Sequence, residues 1–226
     1  MKFTYFGHAC FSIEFSGYNL LFDPFITPNP LAASINVNQL KPTAILITHG
    51  HADHIVDAVS IAKRTSATVI SNWEIIDWLS KQGVQNGHPL NHGGAASFSF
   101  GRVKYTNAIH SSSLPDGSYG GNPGGFIVTT PEGSFYYSGD TALTYDMKLV
   151  GEEFQLRFAV LPIGDNFTMG PADAAKAATF LNVKTVVGVH FDTFPYIKID
   201  HSAAKEAFNK VGVNLLLPTI GQTIEL

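Results

Sequence analysis

Three histidines and one aspartate crowd into six residues directly after a short apolar strand. The apolar run Ala44–Ile47 precedes Thr48, and the four polar residues that follow it are His49, His51, Asp53 and His54. Helical spacing of apolar residues then extends from Ile55 to Arg64, which predicts the order strand, loop, helix. Neutral imidazole and carboxylate are ligands for zinc and for harder divalent ions. Four such ligands point in two directions from one short loop, so two adjacent metal ions fit this segment better than one.

Strands and helices alternate along the rest of the chain. Antiparallel strands are predicted at 2–7, 11–15 and 19–22, and a long loop from Thr27 to Asn38 is expected to overhang a site. Further strands are predicted at 68–70, within 95–108, at 126–130, 134–138, 157–161 and 185–189, with helices at 73–82, 171–181 and 202–210 and two closing strands. Two similar halves without a linker predict one domain, 1–226, of the α/β (α+β) class, a four-layer αββα sandwich.

Composition narrows the class of partner. Of the 226 residues, 14 are Lys or Arg and 18 are Asp or Glu, and the resulting net charge of −4 offers no positive field for nucleic acid or an anionic membrane. No apolar run approaches the roughly 20 residues of a membrane helix. The single cysteine, Cys10, and a start without a signal-peptide pattern favour a cytoplasmic protein. We expect a small-molecule substrate, no nucleic-acid or membrane partner, and a chain compatible with homo-oligomers.

Three further candidate ligands stand just after predicted strands. They are His110, Asp140 within Tyr137–Thr141, and His190 within Gly188–Phe191. Taken alone, each has an ordinary explanation as a core histidine or a turn aspartate. Because strand ends converge on one pocket in folds of this kind, together they favour one shared metal site.

The segment Thr48–His54, T-H-G-H-A-D-H, resembles the H-x-H-x-D-H signature of the metallo-β-lactamase superfamily, and the order of strands and helices resembles that superfamily over essentially the whole chain. The resemblance implies two divalent metal ions, with zinc as the expected metal and manganese or iron as alternatives. It assigns His49, His51 and His110 to the first metal, Asp53, His54 and His190 to the second, and Asp140 to a bridge between both.

Shorter runs resemble the branch of that superfamily that contains L-ascorbate-6-phosphate lactonase and, more distantly, N-acyl-phosphatidylethanolamine-hydrolysing phospholipase D. These runs are Tyr5–Cys10, Leu21–Pro24, Leu161–Gly164 and Phe167–Pro171. In this branch His8 would lie beside the metals, and we expect catalytic roles for His8 and for Asp53, which would relay a proton. Asp23 before a proline either orients a metal-bound imidazole or only ends its strand.

Substrate contacts are expected from two further segments. Thr168 and Met169 lead into the helix that begins at Pro171, where backbone N–H groups could receive an anionic group. Thr193 follows His190 and is free to hydrogen-bond a substrate. The other histidines carry no expected role in the chemistry: His88 and His92 lie in an expected turn, and His201 in an expected helix start.

These features predict a dinuclear metal-dependent hydrolase in which a metal-bound hydroxide attacks a lactone, ester or phosphodiester bond of a small, preferentially anionic substrate. A phosphodiesterase or nuclease with the same ligands is the nearest alternative, and the net charge argues against a long nucleic-acid footprint. A β-lactamase is disfavoured because its zinc site uses a cysteine that this chain lacks there, and His51 excludes the glutamate of the diiron oxygen-reducing branch. A non-catalytic metal-binding sensor or scaffold is an alternative of another class, although all seven ligand positions are filled.

Overall fold

Fourteen strands and six helices make up the fold in a computed structural model that describes residues 1–226. The strands are β1 (Lys2–Gly7), β2 (Cys10–Phe15), β3 (Tyr18–Phe22), β4 (Ala44–Leu46), β5 (Thr68–Asn72), β6 (Gly87–Leu90), β7 (Ala95–Phe98), β8 (Gly101–Asn107), β9 (Gly124–Thr130), β10 (Gly133–Tyr137), β11 (Leu156–Pro162), β12 (Thr185–Val189), β13 (Asn214–Leu216) and β14 (Thr223–Glu225). The helices are α1 (Ala52–Ile55), α2 (Ala58–Thr65), α3 (Trp73–Lys81), α4 (Asp146–Glu153), α5 (Pro171–Phe180) and α6 (His201–Lys210).

The strands form two seven-stranded sheets of the same plan. The first has the order β14-β1-β2-β3-β4-β5-β6 and the second the order β13-β12-β11-β10-β9-β8-β7. In each sheet an antiparallel half joins a parallel half, at β3 in the first sheet and at β10 in the second. Parallel neighbours need crossover connections, and most of these crossovers contain the helices.

Alternation along the strands builds a core between the sheets and leaves two outer cores for the helices. Phe11 and Phe22 of the first sheet stack with ring centroids 4.6 Å apart, and both rings contact Tyr137 of the second sheet edge-on. One outer core lies under α2 and α3, and the other lies under α4, α5 and α6. Three cores separate four layers, which confirms the expected αββα sandwich. No helix has the length and apolar character needed to cross a membrane.

Two local expectations need correction. The single helix expected from Ile55 to Arg64 is divided into α1 and α2, because the Asp57 carboxylate accepts hydrogen bonds from the amides of Ile26 and Thr27 and fixes a turn at this point. His88 lies in a strand, β6, that pairs in parallel with β5, and only His92 lies in the turn that follows.

Other differences concern weaker sequence signals. Helix α4 carries only two buried apolar side chains, Met147 and Val150, and its short periodicity gave no prediction. The long loop between β3 and β4 contains two short 3-10 helices, Pro30–Ala32 and Val37–Gln39, each capped by an asparagine side chain. His201 begins α6, as expected, behind the capping residue Asp200.

The two sheets approach each other closely where the candidate ligands lie. Gly139, just after β10, has a φ of +62°, and a Cβ atom there would lie 2.7 Å from both the Gly124 carbonyl oxygen and the Thr48 Cβ. The Gly124 amide also donates to the Thr48 carbonyl at 3.1 Å. Only glycine combines this backbone conformation with such close neighbours, so Gly139 fixes the joint between the sheets.

Replacement of this glycine therefore gives a test of the fold. We expect Gly139→Ala to lower the free energy of unfolding by about 2–5 kcal/mol, because the new methyl group adds overpacking to the cost of a left-handed backbone. Gly17→Ala is the matched control, since Gly17 has a φ of +84° but no neighbouring atom within 4 Å of the added Cβ. It should lose only about 1–2 kcal/mol in urea unfolding. Equal losses in the two variants would contradict the close approach of the sheets.

Candidate metal centre

The seven predicted ligands come together at one end of the sandwich, and His8 lies with them. Their loops follow β1, β4, β8, β10 and β12, and the donor atoms form three groups in which all atoms lie within 4.8 Å of one another. These groups are His49, His51 and His110; His8, Asp53, His54 and His190; and His49, His54 and Asp140. The first two contain the two predicted ligand sets, with His8 added to the second.

Asp140 stands between the two ligand sets. Its Oδ2 atom lies 2.9 Å from His190 Nε2 and 3.3 Å from His54 Nε2, both in the second set. The same oxygen lies 3.8 Å from Nε2 of His110, which belongs to the first set. A carboxylate in this position can reach a cation on either side.

A second, fully buried carboxylate orients the histidines from behind. Asp23 Oδ1 accepts the Thr48 amide at 2.8 Å, and Oδ2 accepts the Thr48 hydroxyl at 2.7 Å, the Tyr137 hydroxyl at 2.7 Å and His54 Nδ1 at 2.9 Å. Burial and the charge of Asp23 hold the pKa of Tyr137 well above its ordinary value, so the phenol remains a donor. Of the two interpretations of Asp23 open from the sequence, the structure favours the one that orients an imidazole.

These hydrogen bonds select which nitrogen of two ligands faces the cluster. His54 donates its Nδ1 proton to Asp23, which leaves Nε2 towards Asp140. The Thr48 hydroxyl gives its proton to Asp23 and therefore accepts from His49 Nδ1 at 3.0 Å, which leaves the lone pair of His49 on Nε2. Asp23 thus orients one histidine of each ligand set, directly for His54 and through Thr48 for His49.

His8 joins the cluster through Asp53. Its Nε2 lies 2.9 Å from Asp53 Oδ2 and its Nδ1 lies 3.0 Å from the Thr193 hydroxyl. Because a carboxylate only accepts, Nε2 carries the proton and Nδ1 accepts from Thr193. The His8 carbonyl also accepts the His190 amide at 2.8 Å, and both residues have a φ of 57°. This backbone link joins the first sheet to the loop that carries His190.

The pKa shifts describe a cluster with an excess of negative charge. Burial alone would lower the pKa of His54, but Asp140, Asp23 and Asp53 around it raise that pKa well above its ordinary value. Burial opposes ionisation of Asp140 and Asp53, yet nearby histidines hold the pKa of both carboxyls well below the usual range. A metal cation that replaced the proton of His54 would therefore find the carboxylates of Asp140 and Asp53 already ionised and able to bind it.

His8 and three of the ligand histidines, His49, His51 and His110, are held in the neutral form. Burial and neighbouring histidines lower the pKa values of His49, His51 and His110, and burial together with His190 lowers the pKa of His8 to about 4. Neutral imidazoles of His49, His51 and His110 therefore offer lone pairs to a metal, whereas both nitrogens of His8 are engaged by Asp53 and Thr193.

Three buried polar atoms in the cluster make no hydrogen bond, namely Asp140 Oδ1, His54 Nε2 and His190 Nδ1. Leaving such atoms without a partner in a protein interior is costly. His49 Nε2 and His51 Nδ1, both donor atoms of the first set, also face each other at 3.0 Å. A divalent cation in each set would give partners to Asp140, His54, His49 and His51, so the residues fit metal ions by their own chemistry. The Asp53 side chain is 27% exposed and gives solvent a way to the cluster.

The three expected substrate contacts have different outcomes. Thr193 lies at the cluster, where its hydroxyl contacts His8. Thr168 is half-buried, and its hydroxyl donates to the Met169 carbonyl. Met169 needs correction, because its side chain is only 1% exposed and packs in the outer core while its amide donates to Thr141. His88, His92 and His201 lie outside the donor groups.

Several residues of the site carried no signal in the sequence. Thr48 and Tyr137 both serve Asp23, but a threonine before the motif and a tyrosine in a strand are unremarkable there. Phe25 and Phe194 pack edge-on against the His8 ring, with centroid distances of 5.5 and 5.2 Å. Only the fold brings these positions together.

Comparison with known proteins gives consistent results. A family model described as a Beta-lactamase superfamily domain matches residues 18–191. A "UPF0173 metal-dependent hydrolase" of Flavobacterium johnsoniae is 52% identical over 226 residues, and the match covers 100% of both chains. The protein of the same name from Methylacidiphilum infernorum is 55% identical with the same coverage. The solved structure of Igni18, described as a novel metallo hydrolase from Ignicoccus hospitalis, is 35% identical with a TM-score of 0.89, covering 99% of this chain and 97% of that one.

The hydrogen bonds of Asp23 predict how the site responds to loss of its charge. We expect Asp23→Asn to bind metal about 10–100-fold more weakly, because the amide cannot accept from Thr48, Tyr137 and His54 together. Unfolding free energy should fall by about 2–4 kcal/mol. Metal titration followed by calorimetry, and urea unfolding, measure the two effects.

Tyr137→Phe is the matched control for this variant. It removes one donor to Asp23 and keeps the carboxylate, so it should cost about 1–3 kcal/mol of stability with metal affinity close to wild type. Wild-type metal affinity in Asp23→Asn would contradict the orienting role of this carboxylate.

Proposed function

The chain belongs to the β-lactamase superfamily as a relative of its metal-dependent hydrolases, and on that premise we propose that it is a dinuclear hydrolase of small-molecule esters, lactones or phosphodiesters. The single observation that carries the proposal is the position of Asp140 between two sets of histidine donors. Among the relatives expected from the sequence, the likeness to L-ascorbate-6-phosphate lactonase stays a prediction.

Each metal would have its own ligand set, with zinc as the proposed ion and manganese as the alternative. The first set is His49, His51 and His110, the second is Asp53, His54 and His190, and Asp140 would serve both. When bound, two such cations polarise an acyl or phosphoryl oxygen and lower the pKa of a water molecule. The chain orients the donor atoms and surrounds them with buried side chains.

The exposure of Asp53 to solvent and its contact with His8 suit these two residues to different roles in the reaction. Asp53 is the most exposed carboxylate of the cluster, and its low pKa keeps it ionised and able to accept a hydrogen bond from an incoming water. The His8 Nε2–H group donates to Asp53 Oδ2 and holds that carboxylate in place. Thr193 in turn holds His8 through Nδ1. We therefore propose proton transfer through Asp53 Oδ2, with His8 as the group that positions it.

Asp140→Asn tests the dinuclear site. We expect fewer than two metals per chain and a loss of hydrolysis of at least about hundredfold, because a neutral amide binds cations poorly. Elemental analysis after dialysis and turnover of activated esters and phosphodiesters measure the two effects. If the buried variant Asp140→Asn folds poorly, His110→Ala replaces it in the test, because His110 is partly exposed. We expect His110→Ala to give the same loss of metal and of hydrolysis.

His88→Asn is the control, because His88 lies in β6 and outside the donor groups. It should keep two metals and wild-type turnover. Full metal content and full turnover in Asp140→Asn would contradict the proposed bridge.

Removal of metal with a chelator separates the hydrolase from the alternative of a sensor or scaffold. We expect the melting temperature to fall on chelation and to recover with zinc or manganese, since a ligand at 1,000 times its Kd adds about 4 kcal/mol of stability. Thermal unfolding checks this, and turnover is measured on the same samples. Restored stability without turnover of any ester or phosphodiester would favour the non-catalytic function.

A further inference from the structure

The loops that surround the cluster carry a uniform sign of charge. They are the segments 8–9, 23–29, 47–57, 108–123, 138–145, 163–170 and 190–197, which we call the cluster loops. They contain seven aspartates and no glutamate, lysine or arginine, although the chain has 14 Lys and Arg in total. The aspartates are Asp23, Asp53, Asp57, Asp116, Asp140, Asp165 and Asp192.

Two divalent cations would offset only part of this charge. The formal charge of the seven carboxylates is −7, against +4 from two such metals, and four of the seven, Asp53, Asp116, Asp165 and Asp192, reach the surface while the other three are buried. Lys198 directly follows the last cluster loop and lines a cavity along α6 together with Tyr196 and Asp165. Apart from this neighbouring lysine, the cluster loops offer an anionic substrate group no side chain that pairs with it in the way that lysine or arginine does.

The same loops expose large apolar side chains. Ile109, Phe167 and Tyr196 are 54%, 50% and 75% exposed, and the half-buried Phe194 lies against His8. We call these four residues the apolar rim. Exposed apolar side chains gathered at one place mark a binding surface for ligands or partners.

Hydrogen bonds tie the apolar rim to the ligands. Ile109 precedes His110, and its amide donates to the hydroxyl of Thr141, the residue after Asp140. The carbonyl of Thr141 accepts the Met169 amide, which anchors the loop that carries Phe167. That loop also packs on the other ligand loop, because a Cβ atom on Gly164 would meet the His190 carbonyl oxygen.

Phe167 and Tyr196 then meet across these two loops, with ring centroids 6.2 Å apart and planes at 73°. Tyr196 belongs to the loop that starts at His190 and includes Phe194. The rim residues therefore lie on the loops of His110, Phe167 and His190, and Ile109 is hydrogen-bonded to the loop of Asp140.

We propose that the site acts on uncharged esters or lactones that carry an apolar group next to the scissile carbonyl, a statement that rests on the proposed function. Anionic substrates approach loops whose exposed charges are the carboxylates of Asp53, Asp116, Asp165 and Asp192, and an apolar group gains contact with the rim. This substrate class replaces the anionic substrate expected from the sequence and disfavours phosphodiesters, which carry a negative charge.

Matched 4-nitrophenyl esters test the substrate class. The zinc- or manganese-loaded protein is assayed with the acetate, the butyrate, the hexanoate and the hemisuccinate, which has the four-carbon chain of the butyrate with a carboxylate in place of the terminal methyl group, and with bis(4-nitrophenyl) phosphate. We expect kcat/KM to rise about two- to fourfold per added methylene and to be at least about tenfold higher for the butyrate than for the hemisuccinate.

The possible failures are distinct. A hemisuccinate or phosphodiester turned over as well as the butyrate would overturn the inference and leave the hydrolase intact. No turnover of any ester or of the phosphodiester by protein with two metals bound would contradict the proposed function itself.

Variants of the rim locate the selectivity. Phe167→Ala and Tyr196→Ala should lower the ratio of hexanoate to acetate kcat/KM by about three- to tenfold, and Phe167→Lys should raise hemisuccinate turnover relative to butyrate. Leu149→Ala is the matched control, since Leu149 is 59% exposed on α4, outside the cluster loops, and should leave the ratio unchanged.

Calorimetric binding of the non-hydrolysed hexanoic and succinic 4-nitroanilides separates affinity from turnover. Wild-type protein should bind the hexanoic compound at least about tenfold more tightly, and Phe167→Ala should reduce that difference. An unchanged hexanoate-to-acetate ratio in both alanine variants would overturn the role of the rim.

Discussion

The buried carboxylate of Asp23 is the interaction on which the candidate centre depends. It accepts hydrogen bonds from both the amide and the hydroxyl of Thr48, from His54 and from Tyr137. Thr48 and His54 follow β4 of the first sheet, whereas Tyr137 ends a strand of the second, so one anion joins the two sheets at the end where the ligands lie. A buried carboxylate is tolerated only when hydrogen-bond donors contact its oxygens, and this requirement fixes the positions of the groups that donate to Asp23. Through Thr48 and His54 the same requirement orients one histidine in each ligand set.

The cluster shows how fold and metal affinity are coupled. Asp23, Asp53 and Asp140 surround His54 and raise its pKa, while burial and neighbouring histidines lower the pKa values of His49, His51 and His110. Such an arrangement holds negative charge together before any cation binds, and the packed sheets keep the carboxylates from separating. Metal binding then supplies the missing positive charge and releases a proton from His54. Stability and metal affinity should therefore change together in variants of this centre, whereas variants of the exposed rim should change selectivity alone.

The sequence predicted the parts of the centre that depend on local order. His49, His51, Asp53 and His54 share one loop after a strand, and His110, Asp140 and His190 each follow a strand, so strand ends brought them together in the fold. The division between α1 and α2 escaped prediction because its cause, the bonds from Ile26 and Thr27 to Asp57, is distant in sequence. Met169 was misassigned because a loop position before a helix does not reveal that the side chain turns into the core. The aspartate-rich character of the cluster loops was also hidden, since these loops are scattered along the sequence and come together only in the fold.

The relatives named metal-dependent hydrolases match this chain over its whole length. The central claim about its function is that Asp140 lies between two bound cations. The most direct measurement is anomalous diffraction at the zinc absorption edge from crystals of zinc-loaded protein. The account predicts two peaks, one among His49, His51 and His110 and one among Asp53, His54 and His190, with Asp140 between them. One peak, or two peaks away from Asp140, would contradict it.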